Sequence, residues 1–341
     1  MNDVFLIVNG QKYGGWKEVS ITLSMETLSG KFELGLTERW PGQNVSRTIN
    51  LMDSCEVRIG GDTVITGYVD DISHSYDAQS HSFRVSGRDK AGDLVDCSAI
   101  QEPGQWRNQR LEQIARDLVA PFENIAIKVE VGTGEPFKTF ALEQGESVVE
   151  AIERMAKLRG LLVISDGAGN LLITRASQSQ AQTALVSGQN ILKAEGRFSS
   201  KDRFSQVTVK GQTEGSDEIK PDVNTKANAQ AVDTEVKRHR PLMMLAEGQA
   251  NTQTCQKRVD WEIATRKAKG FDLTYTVAGW RQLAGGPLWR VNERVRVKDS
   301  VLKVDEILLV SGLNFRLDNQ GGRISEIKLA RPDSFNPEPT D

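Results

Sequence analysis

Two stretches that lie far apart in the chain share one pattern, and this pattern decides the fold. Glu56-Val57-Arg58-Ile59 and Arg294-Val295-Arg296-Val297 both alternate charged and apolar residues. Such alternation is typical of a β-strand with one buried face. A longer strand pair is predicted after each stretch, at Gly67 to Tyr76 with Phe83 to Gly87, and at Ile307 to Phe315 with Ile324 to Leu329. The similarity indicates either an internal duplication or a chance coincidence of short strands.

Short alternating strands also fill the rest of the first ninety residues. Val19, Ile21 and Leu23 alternate with polar residues, and turn residues such as Gly60-Gly61-Asp62 separate the runs. Many short strands without intervening helices favour a small barrel or sandwich. The predicted fold class is therefore β-rich α+β, with two similar small β-barrel domains and an α/β insert domain.

Helical spacing appears between the two β regions. Apolar residues recur at this spacing from Leu111 to Val119, and Ser147 with Glu150 three residues later forms a capping box for a second helix. A third helix is predicted from Thr252 to Lys269. The predicted boundaries are 1–98 with 190–211 for a discontinuous first β-barrel domain, 99–189 for the α/β insert domain, 212–235 for a polar loop, 236–331 for a helix plus the second β-barrel domain, and 332–341 for a mobile tail.

Composition argues against several classes of protein. The 341 residues contain 43 Lys and Arg against 46 Asp and Glu, a net charge of −3, so the overall basic surface of a dedicated DNA-binding protein is not expected. The longest aliphatic runs are far shorter than the ~20 residues that span a bilayer, and no signal peptide is visible. Cys55, Cys97 and Cys255 lie far apart, which predicts buried free thiols and folding in a reducing cytoplasm.

Residues that could carry chemistry are scarce. His74 and His81 could lie opposite each other in a hairpin, but a third metal ligand is missing. Asp70 and Asp71 are neighbours on a predicted strand, so their carboxylates point to opposite faces and cannot act as a glycosidase pair. Nucleophile elbows and phosphate-binding loops are absent from the sequence. We therefore predict no catalytic residue, no cofactor and no metal site.

Tryptophans and one basic run are the better candidates for function, as contact residues. Most tryptophans in β-rich chains belong to the core, but exposed ones mark contact surfaces. The basic run Lys237-Arg238-His239-Arg240 lies beside an acidic segment, so we expect it at a subunit contact, paired with acidic side chains, rather than on nucleic acid. The interface candidates are Arg238, Arg240, Trp40, Trp280 and Trp289.

A series of stretches matches one known family in order along nearly the whole chain. The stretches are Lys31-Phe32-Glu33-Leu34-Gly35, Gly67-Tyr68-Val69-Asp70, Ser86-Gly87-Arg88-Asp89-Lys90, Asp93-Leu94-Val95-Asp96-Cys97, Gly104-Gln105-Trp106, Leu111 to Leu118, and Arg238-x-Arg240-Pro241. Together they resemble the baseplate hub protein of Mu-like contractile-tailed bacteriophages.

This resemblance implies a structural protein of the virion, located in the tail baseplate and assembled in the host cytoplasm. It implies a homotrimeric ring, in which two barrels per chain give six similar units. The ring would join the six-fold tail tube to the three-fold central spike, with the tail spike protein and the tube and baseplate proteins as partners. No catalytic residue or cofactor carries over from the family.

DNA is expected to pass through the ring without specific binding, and a neutral or acidic lumen would serve this, because contacts between basic residues and phosphate are favourable. Two alternatives remain at this point. One is a tail-associated cell-wall-degrading enzyme, which needs a carboxylate pair in a cleft. The other is the equivalent spike base of a tailocin or secretion apparatus.

Overall fold

β-strands dominate the computed structural model, which describes residues 3–38, 49–77, 81–212, 227–249, 252–318 and 322–336. The N-terminal strands are β1 (Val4–Val8), β2 (Gln11–Tyr13), β3 (Glu18–Ser24), β4 (Lys31–Glu38), β5 (Ser54–Ile59), β6 (Asp62–Tyr76) and β7 (His81–Asp89). The middle region contains α1 (Ala91–Asp96), β8 (Gln105–Gln109), α2 (Leu111–Val119), β9 (Ile127–Val129), β10 (Phe137–Ala141), α3 (Val148–Leu158), β11 (Leu162–Ser165) and β12 (Leu171–Thr174).

The C-terminal half contains the remaining strands and one long helix. These elements are β13 (Leu185–Val186), β14 (Ile191–Phe198), β15 (Gln206–Gln212), β16 (Ala227–Val232), β17 (Pro241–Gln249), α4 (Thr252–Lys269), β18 (Phe271–Ala278), β19 (Arg294–Asp299), β20 (Val304–Asp318), β21 (Gly322–Ala330) and a 3-10 turn, Pro332–Phe335.

Two strand units with the same order make up the large sheet. In the first, β5, β6 and β7 have 6, 15 and 9 residues. In the second, β19, β20 and β21 also have 6, 15 and 9 residues. Both 15-residue strands carry a register shift near their middle, after Val69 in β6 and after Val310 in β20. Of the two explanations left open for the charged-apolar stretches, these matching units favour an internal duplication.

The two units are joined edge to edge. β3 of the first unit pairs antiparallel with β20 of the second, and Ile21 lies opposite Phe315. Both side chains are fully buried in one hydrophobic core that extends through both units. Eleven strands of the large sheet follow one open path from β14 to β2, and β19 and β13 branch from it at β20. The closed barrels that the sequence predicted are not seen in this pairing, because β20 forms its hydrogen bonds with β3 of the other unit.

The α/β region folds as predicted, with its own core. The apolar faces of α2 and α3 bury Ile114 and Ile152 completely. Ser147 Oγ accepts a hydrogen bond from Glu150 N at 3.2 Å, and Ser147 N donates to the Glu150 carboxylate at 2.7 Å, which forms the predicted capping box. Strands β11 and β12 form an antiparallel hairpin.

Residues 190–211 do not complete the first β unit as expected. β14 pairs with β18 of the second unit, and β15 pairs with β16 and β17 in a separate three-stranded sheet. The expected polar loop at 212–235 contains strand β16, whose Ala229 packs on Val259 of α4. Alanine-rich alternation gave too weak an apolar signal for a strand. Residues 213–226 lie outside the described residues.

Three smaller expectations also need correction. Cys97 is exposed, because it follows the last turn of α1, whereas Cys55 and Cys255 are buried. His81 lies opposite Tyr76, so it does not face His74 across the hairpin. The start of the predicted mobile tail is held in place, since Trp261 Nε1 donates to Asn336 O at 2.7 Å. In the described part of the chain, no helix is long and apolar enough to cross a membrane.

Candidate assembly surface

Eight neighbouring strands run through both units in the order β14-β18-β21-β20-β3-β4-β7-β6, and we call them the ladder sheet. One face of the ladder sheet is apolar and packs into the shared core, with Leu34, Phe315 and Ile327 almost completely buried. Because side chains alternate between the faces of a strand, the residues between these positions form a second, polar face.

The polar face of the ladder sheet is rich in charge, but its charges balance. Serine and threonine side chains lie between acidic and basic residues, and the two signs occur in similar number. The basic residues include Lys31, Arg84, Arg88, Lys193, Arg197, Arg316 and Lys328; the acidic ones include Glu18, Glu33, Asp70, Asp71, Glu195, Asp272 and Glu326. The prediction that Asp70 and Asp71 point to opposite faces is wrong, because the register shift between Val69 and Asp71 brings both to the polar face.

Cross-strand ion pairs hold many of these charges next to their opposites. Arg84 contacts Glu18 at 2.7 Å and Glu33 at 3.0 Å. Arg316 contacts Glu326 at 2.8 Å. The side chains of the Arg84 pairs are exposed and those of the Arg316 pair are half-buried. Each exposed pair adds only about 0.2–1 kcal/mol to the free energy of unfolding. Their main effect is electrostatic, since an anion that approaches the face meets bases that are already paired.

The two ends of the ladder sheet are open strand edges. β14 pairs with β18 on one side only, and residues 71–76 of β6 pair with β7 on one side only, within the described part of the chain. Large side chains are exposed on both edges, with Tyr76 84 % and Phe198 54 % accessible. An open edge with apolar side chains is a template for pairing with another chain. Our sequence analysis missed both aromatic residues.

A buried carboxylate fastens the ladder sheet to the α/β region. Asp89, at the end of β7, is 2 % exposed. Its Oδ1 accepts hydrogen bonds from Ser29 Oγ at 2.9 Å and Ala91 N at 3.1 Å, and its Oδ2 accepts from Gly30 N at 2.9 Å and Ser165 Oγ at 2.6 Å. Burial raises the pKa of Asp89, against the opposing effect of these four donors. In the sequence, Asp89 stands out only as part of the stretch Ser86-Gly87-Arg88-Asp89-Lys90.

Two of the three predicted interface tryptophans, Trp280 and Trp289, are buried rather than exposed. Trp280 is fully buried and its Nε1 donates to Arg316 O and Ile324 O, both at 3.0 Å. Trp289 is 2 % exposed. Both belong to the core, because the loop after β18 folds back over the second unit. Trp40 lies outside the described residues.

The predicted basic run has mostly internal roles. Arg240 is half-buried, and its guanidinium donates to Arg203 O at 3.0 Å and Lys201 O at 2.7 Å. It therefore holds the segment before β15 rather than an acidic partner. Arg238 is exposed. The nearby acids Asp233 and Glu235 are paired with Arg203 of the same chain.

A cavity of about 410 Å³ between the two units and the α/β region is lined by four acidic residues. Each of these four acids has a structural partner. The pairs are Asp62 with Arg281 at 2.7 Å, Glu130 with Thr174 at 2.8 Å, Asp166 with Lys128 at 2.8 Å, and Glu293 with Gln282 at 2.7 Å. Burial raises the pKa of Glu293. Among the described residues, no cluster of His, Cys, Asp and Glu could hold a metal ion.

Comparison with known proteins assigns the family. The chain is 36 % identical over 343 residues to the baseplate hub protein gp44 of Escherichia phage Mu, covering 98 % of this chain and 89 % of that protein. The chain belongs to this family of baseplate hub proteins. Residues 91–175 match the family described as baseplate hub protein gp44-like, second domain.

Three further domain families match the rest of this hub protein in order. They are the Mu phage baseplate assembly protein GpP-like N-terminal domain at 3–89, the tail protein NMB1110-like third domain at 203–260, and the Mu phage baseplate assembly protein GpP fourth domain at 251–338. The NMB1110-like match covers the β15–β17 sheet and the start of α4. This small sheet is thus a domain that the predicted boundaries divided between other parts.

Solved structures have the same fold. The 43 kDa tail protein of prophage MuSo2 from Shewanella oneidensis is 39 % identical with a TM-score of 0.87, and the match covers 98 % of the hub protein and 99 % of that chain. An E. coli component of the type VI secretion system, described as similar to the T4 tail proteins gp27 and gp5, has a TM-score of 0.57 at 9 % identity over 98 % of the hub protein and 79 % of that chain. The second match shows a shared fold alone.

Proposed function

We propose that this protein is the structural hub of a contractile phage tail, a homotrimeric ring that joins the six-fold tail tube to the three-fold central spike. The observation that carries this proposal is the junction between β3 and β20, which joins two units of the same strand order within one chain. Three chains with two units each supply six similar units. A chain with this repeat can therefore match six-fold and three-fold neighbours at once.

The polar face of the ladder sheet supports a passage for DNA through this ring. The face spans both units and its charges balance, as a surface that DNA must pass without binding requires. In our proposal this face lines the channel. The apolar face, in contrast, is buried in the core and cannot contact DNA.

Partners and location follow from the same proposal. The names of the relatives place them in phage baseplates and tails, and the E. coli protein of similar fold is described as similar to gp27 and gp5 of the T4 tail. We infer that the hub binds a spike protein on one side and tail tube and baseplate proteins on the other, in the virion after assembly in the host cytoplasm. Each of the four acids that line the 410 Å³ cavity has a hydrogen-bond or ion-pair partner, which also agrees with a structural role.

The mass of the full-length chain in solution tests the proposed trimer. Sedimentation equilibrium at micromolar concentration should give three times the chain mass of 37.7 kDa. An obligate assembly of this kind should bury more than about 2,000 Å² at each pairwise contact, so the trimer should persist on dilution. A species of 37.7 kDa at micromolar concentration would contradict the proposal.

A further inference from the structure

The open edges of the ladder sheet correspond, position by position, to the two strands that form the internal junction. The register shifts make Asp71 of β6 equivalent to Gly312 of β20, so residues 71–76 correspond to 312–317. On the other strand, Val19 pairs with Leu34 and Ala194 pairs with Tyr275, in the same place of each unit. β14 is therefore the second unit's copy of β3.

Each chain therefore forms one of two equivalent junctions, the one between β3 and β20, and leaves the other, between β14 and β6, unformed. The segment 312–317 of β20 is covered by β3, and Phe315 is fully buried. The equivalent segment 71–76 of β6 has no such cover in the described chain, and its Tyr76 is 84 % exposed. β14 offers the missing cover but lies at the opposite end of the ladder sheet. A strand cannot pair with an edge at the far end of its own sheet unless the sheet closes.

We propose that residues 193–198 of β14 pair antiparallel with residues 72–77 of β6 in a neighbouring copy of this chain, in the register Glu195 opposite Ser75. This inference rests on the proposed trimer and identifies the surface that builds it. The register is the one that β3 and β20 use, transferred through the equivalences of the two units.

Side-chain sizes and charges agree with this register. Small residues of β14 meet large residues of β6, since Ala194 falls opposite Tyr76 and Gly196 opposite His74. Phe198, which is 54 % exposed in the single chain, falls opposite the half-buried Ile72. Such cross-strand neighbours are close enough for their side chains to contact each other.

The pairing is also compatible with an assembly that stops at a closed ring. Each chain offers one β14 edge and one β6 edge, which are different surfaces, so the contact is head-to-tail. Head-to-tail contacts form rings when the rotation closes and filaments when it does not. In a trimer, three β3–β20 junctions within chains and three β14–β6 junctions between chains give six equivalent junctions around the ring. No edge of a ladder sheet then stays open.

Engineered disulfides test this contact directly. Met25 N donates to Ser311 O at 2.8 Å, and since hydrogen-bonded and non-hydrogen-bonded pairs alternate, Ser20 and Arg316 form a non-hydrogen-bonded pair. Glu195 and Ser75 are the equivalent pair between chains. The Cα atoms of such a pair are about 4.5 Å apart, within disulfide range. The variant Ser75→Cys/Glu195→Cys, made in a Cys97→Ser background to remove the exposed thiol, should form covalent trimers on oxidation.

Two controls are made in the same background. Ser20→Cys/Arg316→Cys should form a disulfide within one chain, visible as faster migration without a gain in mass. His74→Cys/Glu195→Cys places the thiols on opposite faces of the joined sheet, so it should form no covalent trimer. Denaturing gels with and without reductant give the readout, together with the mass of each native protein in solution.

The outcomes separate this inference from the proposed function. Covalent trimers from the Ser75→Cys/Glu195→Cys variant alone would support both. Native trimers that form no interchain bond at 75 and 195, although the 20 and 316 bond forms, would overturn the strand pairing and leave the hub proposal standing. Equal cross-linking of the His74→Cys variant would overturn the register. A monomeric native protein would overturn the hub proposal itself.

Discussion

Replacing Asp89 by alanine is expected to lower the free energy of unfolding by roughly 2–6 kcal/mol, because at least two buried backbone donors lose their acceptor. The carboxylate is 2 % exposed and is the acceptor for four donors. Two of these donors, Gly30 N and Ala91 N, are backbone groups that cannot turn toward water, and an unsatisfied buried donor costs about 1–3 kcal/mol. Since a domain has only about 5–15 kcal/mol of stability, much of it should be lost.

Urea denaturation of the full chain measures this effect, and two variants make it specific. Asp89→Asn keeps the shape and one acceptor oxygen, so its loss should be intermediate. Asp96→Ala removes a nearby acid whose side chain is 54 % exposed and pairs with Arg88, so its loss should stay below about 1 kcal/mol. Equal effects of Asp89→Ala and Asp96→Ala would show that the buried network does not hold the two regions together.

Removing acids from the polar face of the ladder sheet is expected to turn the hub into a DNA-binding protein. The change has four substitutions per chain, which are Glu18→Gln, Glu33→Gln, Glu195→Gln and Glu326→Gln. They remove acids that pair with Arg84, Lys193 and Arg316. In the ring, three chains would present the resulting excess of positive charge to one channel. Because each phosphate contact releases counterions, binding should tighten more than tenfold at low salt.

Fluorescence anisotropy with a short DNA duplex over a salt series measures this change. The logarithm of the binding constant should fall more steeply with the logarithm of salt concentration, by about 0.9 for each added phosphate contact. The control changes the net charge equally at exposed acids outside the ladder sheet, namely Glu102→Gln, Glu123→Gln, Glu135→Gln and Glu143→Gln. Equal DNA binding by both variants would mean that net charge matters and the polar face does not line the channel.

Local features were predictable from the sequence because they depend on near neighbours. The capping box of Ser147 and Glu150 and the helix Leu111–Val119 follow from caps and spacing within a few residues. The repeat was also visible, because the charged-apolar alternation survives in both copies. The family resemblance extended this reading to the baseplate hub family, which the 36 % identity to gp44 confirms.

Long-range partners were not predictable in the same way. β14 has the same alternation whichever sheet it joins, so nothing local shows that it pairs with β18. Whether a tryptophan lies in the core depends on the loop that covers it, as Trp280 shows. Arg240 looks like a surface cation in a basic run, yet its donors reach backbone carbonyl groups 37 and 39 residues away. Only a comparison of the two strand units shows that the exposed Tyr76 and Phe198 lie on edges equivalent to the strands of the internal junction.

Electron microscopy of the purified full-length chain tests the central claim most directly. If β14 and β6 form between chains the junction that β3 and β20 form within one, class averages viewed down the axis should show a closed ring around an open channel. The ring should have exact three-fold symmetry and six similar lobes, two from each chain. Single-chain particles, two-fold pairs or open filaments would contradict the claim.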